Sequence, residues 1–63
     1  MSFANNIRFL RRQRNISQEE LAEMVGYKSF TTIQKWETGD SEPNMGVLRQ
    51  LADIFHLSIS ELV

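Results

Sequence analysis

Apolar residues recur along this chain at intervals of three and four, and no stretch alternates with the period of two of a half-buried strand, so the pattern predicts helices throughout. Phe3, Ile7 and Leu10 share one face of a first helix that Ser2 caps and that ends near Arg14-Asn15, while Arg8 and Arg12 share another face. Ser17-Gln18-Glu19-Glu20 has the spacing of a reciprocal capping box, which starts a second helix with Leu21, Ala22 and Val25 inward and Gly26 as its left-handed terminus. Ser29 is the expected cap of a third helix carrying Ile33 and Trp36, and Gly39 closes it. After a polar loop, Asn44 caps a fourth helix with Leu48, Leu51, Ala52 and Phe55 on its apolar stripe. Ser58 with Glu61 repeats the capping box ahead of a last turn bearing Ile59, Leu62 and Val63. With no repeat and no linker, residues 1–63 are expected to fold as one all-α, compact five-helix domain, its second and third helices short and joined by a tight turn.

Length and composition narrow the chemistry. A chain of 63 residues buries only about 60% of the surface its unfolded form exposes, so it needs a dense core or a staple. There is no cysteine and a single histidine, His56, which excludes disulfides and a four-ligand zinc site; no metal and no cofactor are expected. No nucleophile, base and orienting group occur together, so an enzyme acting on a small-molecule substrate is not expected either. No apolar run has the length of a membrane span and no signal-peptide core follows the amino terminus, which points to a cytoplasmic protein. The formal net charge is −1, yet Arg8, Arg11, Arg12 and Arg14 all precede the first acid, Glu19, so one surface can be basic while the molecule is not.

Two short helices around a glycine-containing turn, the second with a polar outer face, suit insertion into a DNA major groove. Helical hairpins of this size also serve unrelated purposes, and spacing alone does not choose between them. The set Ile7, Leu10 and Arg11, then Ile16-Ser17-Gln18-Glu19-Glu20-Leu21-Ala22, then Gly26, Ile33, Glu37, Gly39, Pro43, Leu48, Leu51-Ala52, Ser58 and Leu62 resembles the phage-repressor and Cro-type helix-turn-helix family of xenobiotic-response-element-like bacterial regulators. The resemblance runs from about residue 5 to the end, and it implies the lambda-repressor-like fold and double-stranded DNA as partner.

Carried over residue by residue, the resemblance implies that the third helix reads bases with Phe30, Thr31, Gln34 and Lys35. Their chemistry fits: Gln34 can bond adenine twice, Lys35 can donate to guanine O6 and N7, and Phe30 and Thr31 can pack on thymine methyls. Gln18 matches the family's glutamine that holds a phosphate; Asn44 has the same place at the start of the fourth helix, and Thr38, in the loop before Gly39, and Lys28 are further phosphate candidates, contacts that set register without reading sequence. Arg11 and Glu37 match a partly buried structural ion pair, leaving Arg8, Arg12 and Arg14 as candidates for phosphate attraction. Family members commonly pair as homodimers through the end of the fourth helix and the fifth, here Leu57, Ile59 and Val63, with the off-stripe Phe9 as a further exposed apolar position.

Three features depart from the family pattern. Six residues rather than five separate Gly26 from Ile33, which leaves the register of Phe30 and Thr31 open. The loop Asp40-Ser41-Glu42 is acidic where phosphate contacts are often basic, so a shallow salt dependence is expected. Gly46 stands in the first turn of the fourth helix, where the close approach of a DNA backbone or a neighbouring helix would account for it. The expected function is operator binding by a bacterial or phage transcriptional regulator, a repressor acting by occlusion; a plasmid or restriction-system controller or an antitoxin has the same pattern. The alternative from another class is a helical protein-interaction module with this fold, which the slightly acidic balance favours and the polar third helix does not. The apolar last turn also fits a fragment of a longer regulator.

Overall fold

Side-chain caps start four of the five helices at the residues their chemistry dictates. In the computed structural model, which describes residues 2–63, the elements are α1 (Phe3–Gln13), α2 (Gln18–Val25), α3 (Thr31–Thr38), α4 (Met45–Phe55) and α5 (Ile59–Leu62). The Ser2 hydroxyl accepts the Asn5 N–H, and the Asn44 Oδ1 accepts the Val47 N–H at 2.9 Å. Both capping boxes close: Ser17 with Glu20 and Ser58 with Glu61 exchange bonds of 2.9–3.3 Å in each direction. Each such cap contributes about 1 kcal/mol.

The third helix begins one residue later than its sequence suggests. Phe30, not Ser29, is the residue flanking α3, and its side chain makes no capping bond. The Ser29 hydroxyl nonetheless accepts the Thr31 N–H at 3.2 Å and pairs with the Thr31 hydroxyl at 2.9 Å. The Phe30 carbonyl is the first helical acceptor, bonded by the Gln34 N–H at 3.0 Å. The extra residue between Gly26 and Ile33 is thus absorbed in the turn, and Ile33 keeps its place in the core.

The four longer helices terminate alike. Asn15, Gly26, Gly39 and His56 are left-handed, and the following N–H of Ile16, Tyr27, Asp40 and Leu57 reaches back to the carbonyl of Arg11, Ala22, Lys35 and Ala52. This is the Schellman arrangement, whose trailing residue normally packs back on the helix. Ile16, Tyr27 and Leu57 do so, lying half-buried against the core; Asp40 is exposed, so the chain leaves α3 into solvent.

Phe3, Ile7, Leu10, Leu21, Ala22, Ile33, Trp36, Leu51, Ala52, Phe55 and Leu62 form one buried cluster, which answers the need for a dense unstapled core. Trp36 is its centre, meeting the rings of Phe3 and Tyr27 edge-on at 6.0 and 5.9 Å. Leu48, expected on the buried stripe of α4, is only half-buried. Helix α3 is held between α1 and α2, while α4 packs on α2 and α5. Among the described residues, no helix is long and apolar enough to cross a membrane.

Candidate nucleic-acid interface

Burial of Ile33, Trp36 and Glu37 leaves the other side of α3 in water. Thr31, Gln34, Lys35 and Thr38 are all exposed and follow the i, i+3, i+4, i+7 spacing of one helical face, with Phe30 (41% exposed) at its leading edge. A rod about 10–12 Å across fits a major groove about 12 Å wide. The structure therefore brings the four base-reading candidates together on one uncovered surface. Thr38 is the last residue of α3 rather than part of the loop, and its single hydroxyl proton has two acceptors in reach, the Lys35 carbonyl and the Asp40 carboxylate, both at 3.1 Å. Lys28 is exposed in the turn. Asn44 spends its Oδ1 on the α4 cap and keeps its amide hydrogens for another partner.

Gln18 is tied into the protein. Its amide donates to Glu37 Oε1 at 3.1 Å, linking the first turn of α2 to the last turn of α3. A second N–H and the carbonyl oxygen remain, so the side chain can hold a phosphate while anchored.

Glu37 is the hub of this arrangement and is only 5% exposed. Arg11 grips it in a fork, Nε to Oε2 at 2.7 Å and Nη2 to Oε1 at 3.1 Å, and donates its remaining arm to the Ile16 carbonyl. Arg8 adds a bond to the Glu37 backbone carbonyl at 2.7 Å and approaches its carboxylate at 3.6 Å. Burial by itself raises the Glu37 carboxyl; the hydrogen bonds from Arg11 and Gln18 and the charges of Arg11 and Arg8 outweigh it and hold the group below the ordinary carboxylate range. A lowered folded-state value gives stability that is full above the unfolded carboxylate's pKa of about 4.3 and is lost as pH falls through the lower folded value. The melting temperature of the protein should therefore drop on acidification below about pH 4.3, and more steeply than that of Glu37→Gln. Parallel slopes for the two would show that Glu37 is not the titrating group.

The arginines divide differently from their sequence reading. Arg8 serves the α3 terminus, and Arg14 donates to the Phe55 carbonyl at 2.9 Å with its guanidinium 5.0 Å from the Phe55 ring centre. Arg14 thus closes the end of α4, where the carbonyls and the negative dipole end favour a cation, instead of standing free for phosphate. Two features escaped the sequence reading. Asn6, 7% exposed, donates to the Leu62 carbonyl at 2.8 Å and ties α1 to α5; its place between Phe3 and Leu10 on the apolar stripe was the available signal. Glu19, Glu23, Lys28 and Phe30 line a concavity of about 520 Å³ between α2 and the start of α3, so carboxylates lie beside the leading edge of the α3 face.

Gly46 has no neighbouring helix to accommodate. A Cβ there would meet only the Asn44 Oδ1, at 3.4 Å, an ordinary contact. Gly46→Ala should raise stability by up to about 1 kcal/mol, read by thermal melting. If the glycine exists to admit a DNA backbone, the same variant binds duplex more weakly; unchanged binding would remove that explanation.

Residues 7–62 match the family model described as Helix-turn-helix. The chain is 41% identical over its full length to the HTH-type transcriptional activator BcrR of Enterococcus faecalis, spanning 30% of that protein. It is 34% identical over 97% of its length to the cryptic phage CTXphi transcriptional repressor RstR of Vibrio cholerae, spanning 54% of it. The crystal structure of a transcriptional regulator from Listeria innocua superposes with a TM-score of 0.93 at 32% identity, covering 98% of this chain and 57% of that one. The chain therefore spans well under two thirds of each of these relatives. By these matches over nearly its whole length, the chain belongs to the helix-turn-helix family, in its phage-repressor and Cro-type branch.

Proposed function

We propose that residues 1–63 are the DNA-binding domain of a transcriptional regulator that reads an operator through α3 in the major groove. The observation that carries this reading is the uncovered face of Thr31, Gln34, Lys35 and Thr38, led by Phe30, on a helix whose opposite side is locked into the core. Gln18, Lys28, Thr38 and Asn44 are the candidates for the flanking phosphates. One copy measures 26 Å at its longest, less than the roughly 34 Å between half-sites one DNA turn apart, so a two-part operator calls for two copies. Leu57, Ile59 and the 56%-exposed Val63 form the seam proposed for that homodimer.

One relative is named an activator and the other a repressor. For this domain the reading is repression by occlusion, since a bound protein blocks whatever promoter element its operator overlaps. The test is selection of bound sites from a random duplex pool, followed by titration of the winning site at several salt concentrations. A defined motif is expected; recovery of none would overturn the proposal in favour of a protein-interaction module. Lys28 is the one cation among the four phosphate candidates, so log K should fall against log salt with a slope of only about −1 to −2 per copy.

A further inference from the structure

The outer faces of α1 and α2 are complementary to each other, yet they belong to different sides of the molecule. On α1, Asn5, Arg8, Phe9, Arg12 and Gln13 lie opposite the buried Phe3–Ile7–Leu10 face and surround a depression of about 510 Å³. Phe9 is 63% exposed within it. On α2, Glu19, Glu20, Glu23 and Met24 lie opposite the buried Leu21–Ala22 face, and Met24 is 50% exposed. Among the described residues, neither Arg12 nor Glu19 nor Glu23 has an ion-pair partner within the chain. Arg8 and Arg12 are four residues apart, as are Glu19 and Glu23, so both pairs repeat at about 6 Å along their helices. Each face carries one large unsatisfied apolar side chain beside its charges, a ring on α1 and a thioether on α2, a combination that makes favourable contacts.

We propose that a second copy of this chain docks its α2 face on the α1 stripe, with Met24 of one copy in the depression beside Phe9 of the next and Glu19 and Glu23 opposite Arg12 and Arg8. The contact is heterologous: each copy keeps a free α1 face or a free α2 face, so copies add head to tail. It does not depend on DNA binding and differs from the α5 seam, which joins like to like. Two short helix faces cover well under the 1,200–2,000 Å² or so of a stable complex, so association is weak and requires high protein concentration. Salt weakens it, because Arg12, Glu19 and Glu23 are exposed.

Sedimentation equilibrium at millimolar protein, at about 0.01 M and about 1 M salt, where screening lengths are about 30 and 3 Å, tests the proposal. The wild type should associate at low salt and disperse at high salt. R12E and E19R, both at exposed positions and both checked for folding by circular dichroism, should each associate at least about tenfold more weakly, since each sets like charges against each other. The double variant R12E/E19R should recover association, and so should an equimolar mixture of the two single variants. Wild-type protein that stays monomeric at low salt, association that survives in either single variant, or failure of the double reversal to restore it would each overturn the head-to-tail contact. Survival in both single variants together with loss on Val63→Asp would assign the association to the α5 seam instead.

Discussion

Glu37→Ala should leave the domain largely unfolded at room temperature. The carboxylate is 3% exposed at its side chain and Arg11 12%, and the variant strands the Arg11 guanidinium without its forked partner and leaves the Gln18 amide without its acceptor, while the Arg8 bond to the backbone carbonyl of residue 37 survives. Breaking a buried pair from one side costs about 3–5 kcal/mol. A single core in a chain this short supplies no more than about 3–5 kcal/mol of net stability, so the loss is comparable to the whole. Far-ultraviolet circular dichroism and the emission of Trp36, which is buried at the centre of the core, read the outcome directly. The companion variant Arg11→Met/Glu37→Leu should recover much of the stability, because removing both charges leaves neither uncompensated. A melting temperature for Glu37→Ala within about 8 °C of the wild type would correspond to only about 1 kcal/mol, the worth of an exposed pair, and would contradict the buried geometry.

Lys35→Ala should lower preference at one base pair of the selected operator by about 1–3 kcal/mol while leaving the other positions alone, because a side chain that bonds a base edge discriminates only where it touches. Gln18→Ala should instead weaken all sites by a common factor, since a phosphate is the same beneath every base. Gln18 also donates to Glu37, so this variant should melt slightly earlier; affinity is to be compared at a temperature where both proteins are fully folded. Competition between the operator and single-base variants separates the two behaviours. Uniform loss from Lys35→Ala, or position-specific loss from Gln18→Ala, would reverse the division of labour between α3 and the start of α2.

Much of this architecture follows from neighbours in the chain. Ser17 with Glu20 and Ser58 with Glu61 satisfy backbone donors three residues away, and Gly26 and Gly39 adopt conformations other residues avoid, so these helix limits are readable before any packing is known. The α3 face is readable for the same reason, since a period of 3.6 separates Thr31, Gln34 and Lys35 from Ile33 and Trp36 whatever surrounds them. The start of α3 was not, because the Ser29 hydroxyl accepts the Thr31 N–H across a residue, Phe30, that is itself near-helical, and two registers compete within one turn.

What local spacing could not supply is the fate of polar groups whose partners lie far along the chain. Asn6 meets Leu62, Arg14 meets Phe55, and Gln18 meets Glu37 across 56, 41 and 19 residues. The family resemblance set Arg11 apart as the partner of Glu37, yet Arg8, Arg12 and Arg14 looked alike by position, and only folding revealed that Arg8 and Arg14 are occupied and Arg12 is not. Helices, their ends and their wet faces come from interactions within four or five residues, which the order of side chains sets outright. Partner choice among charges and amides depends on which helices the buried cluster brings side by side, and that is a property of the assembled core alone.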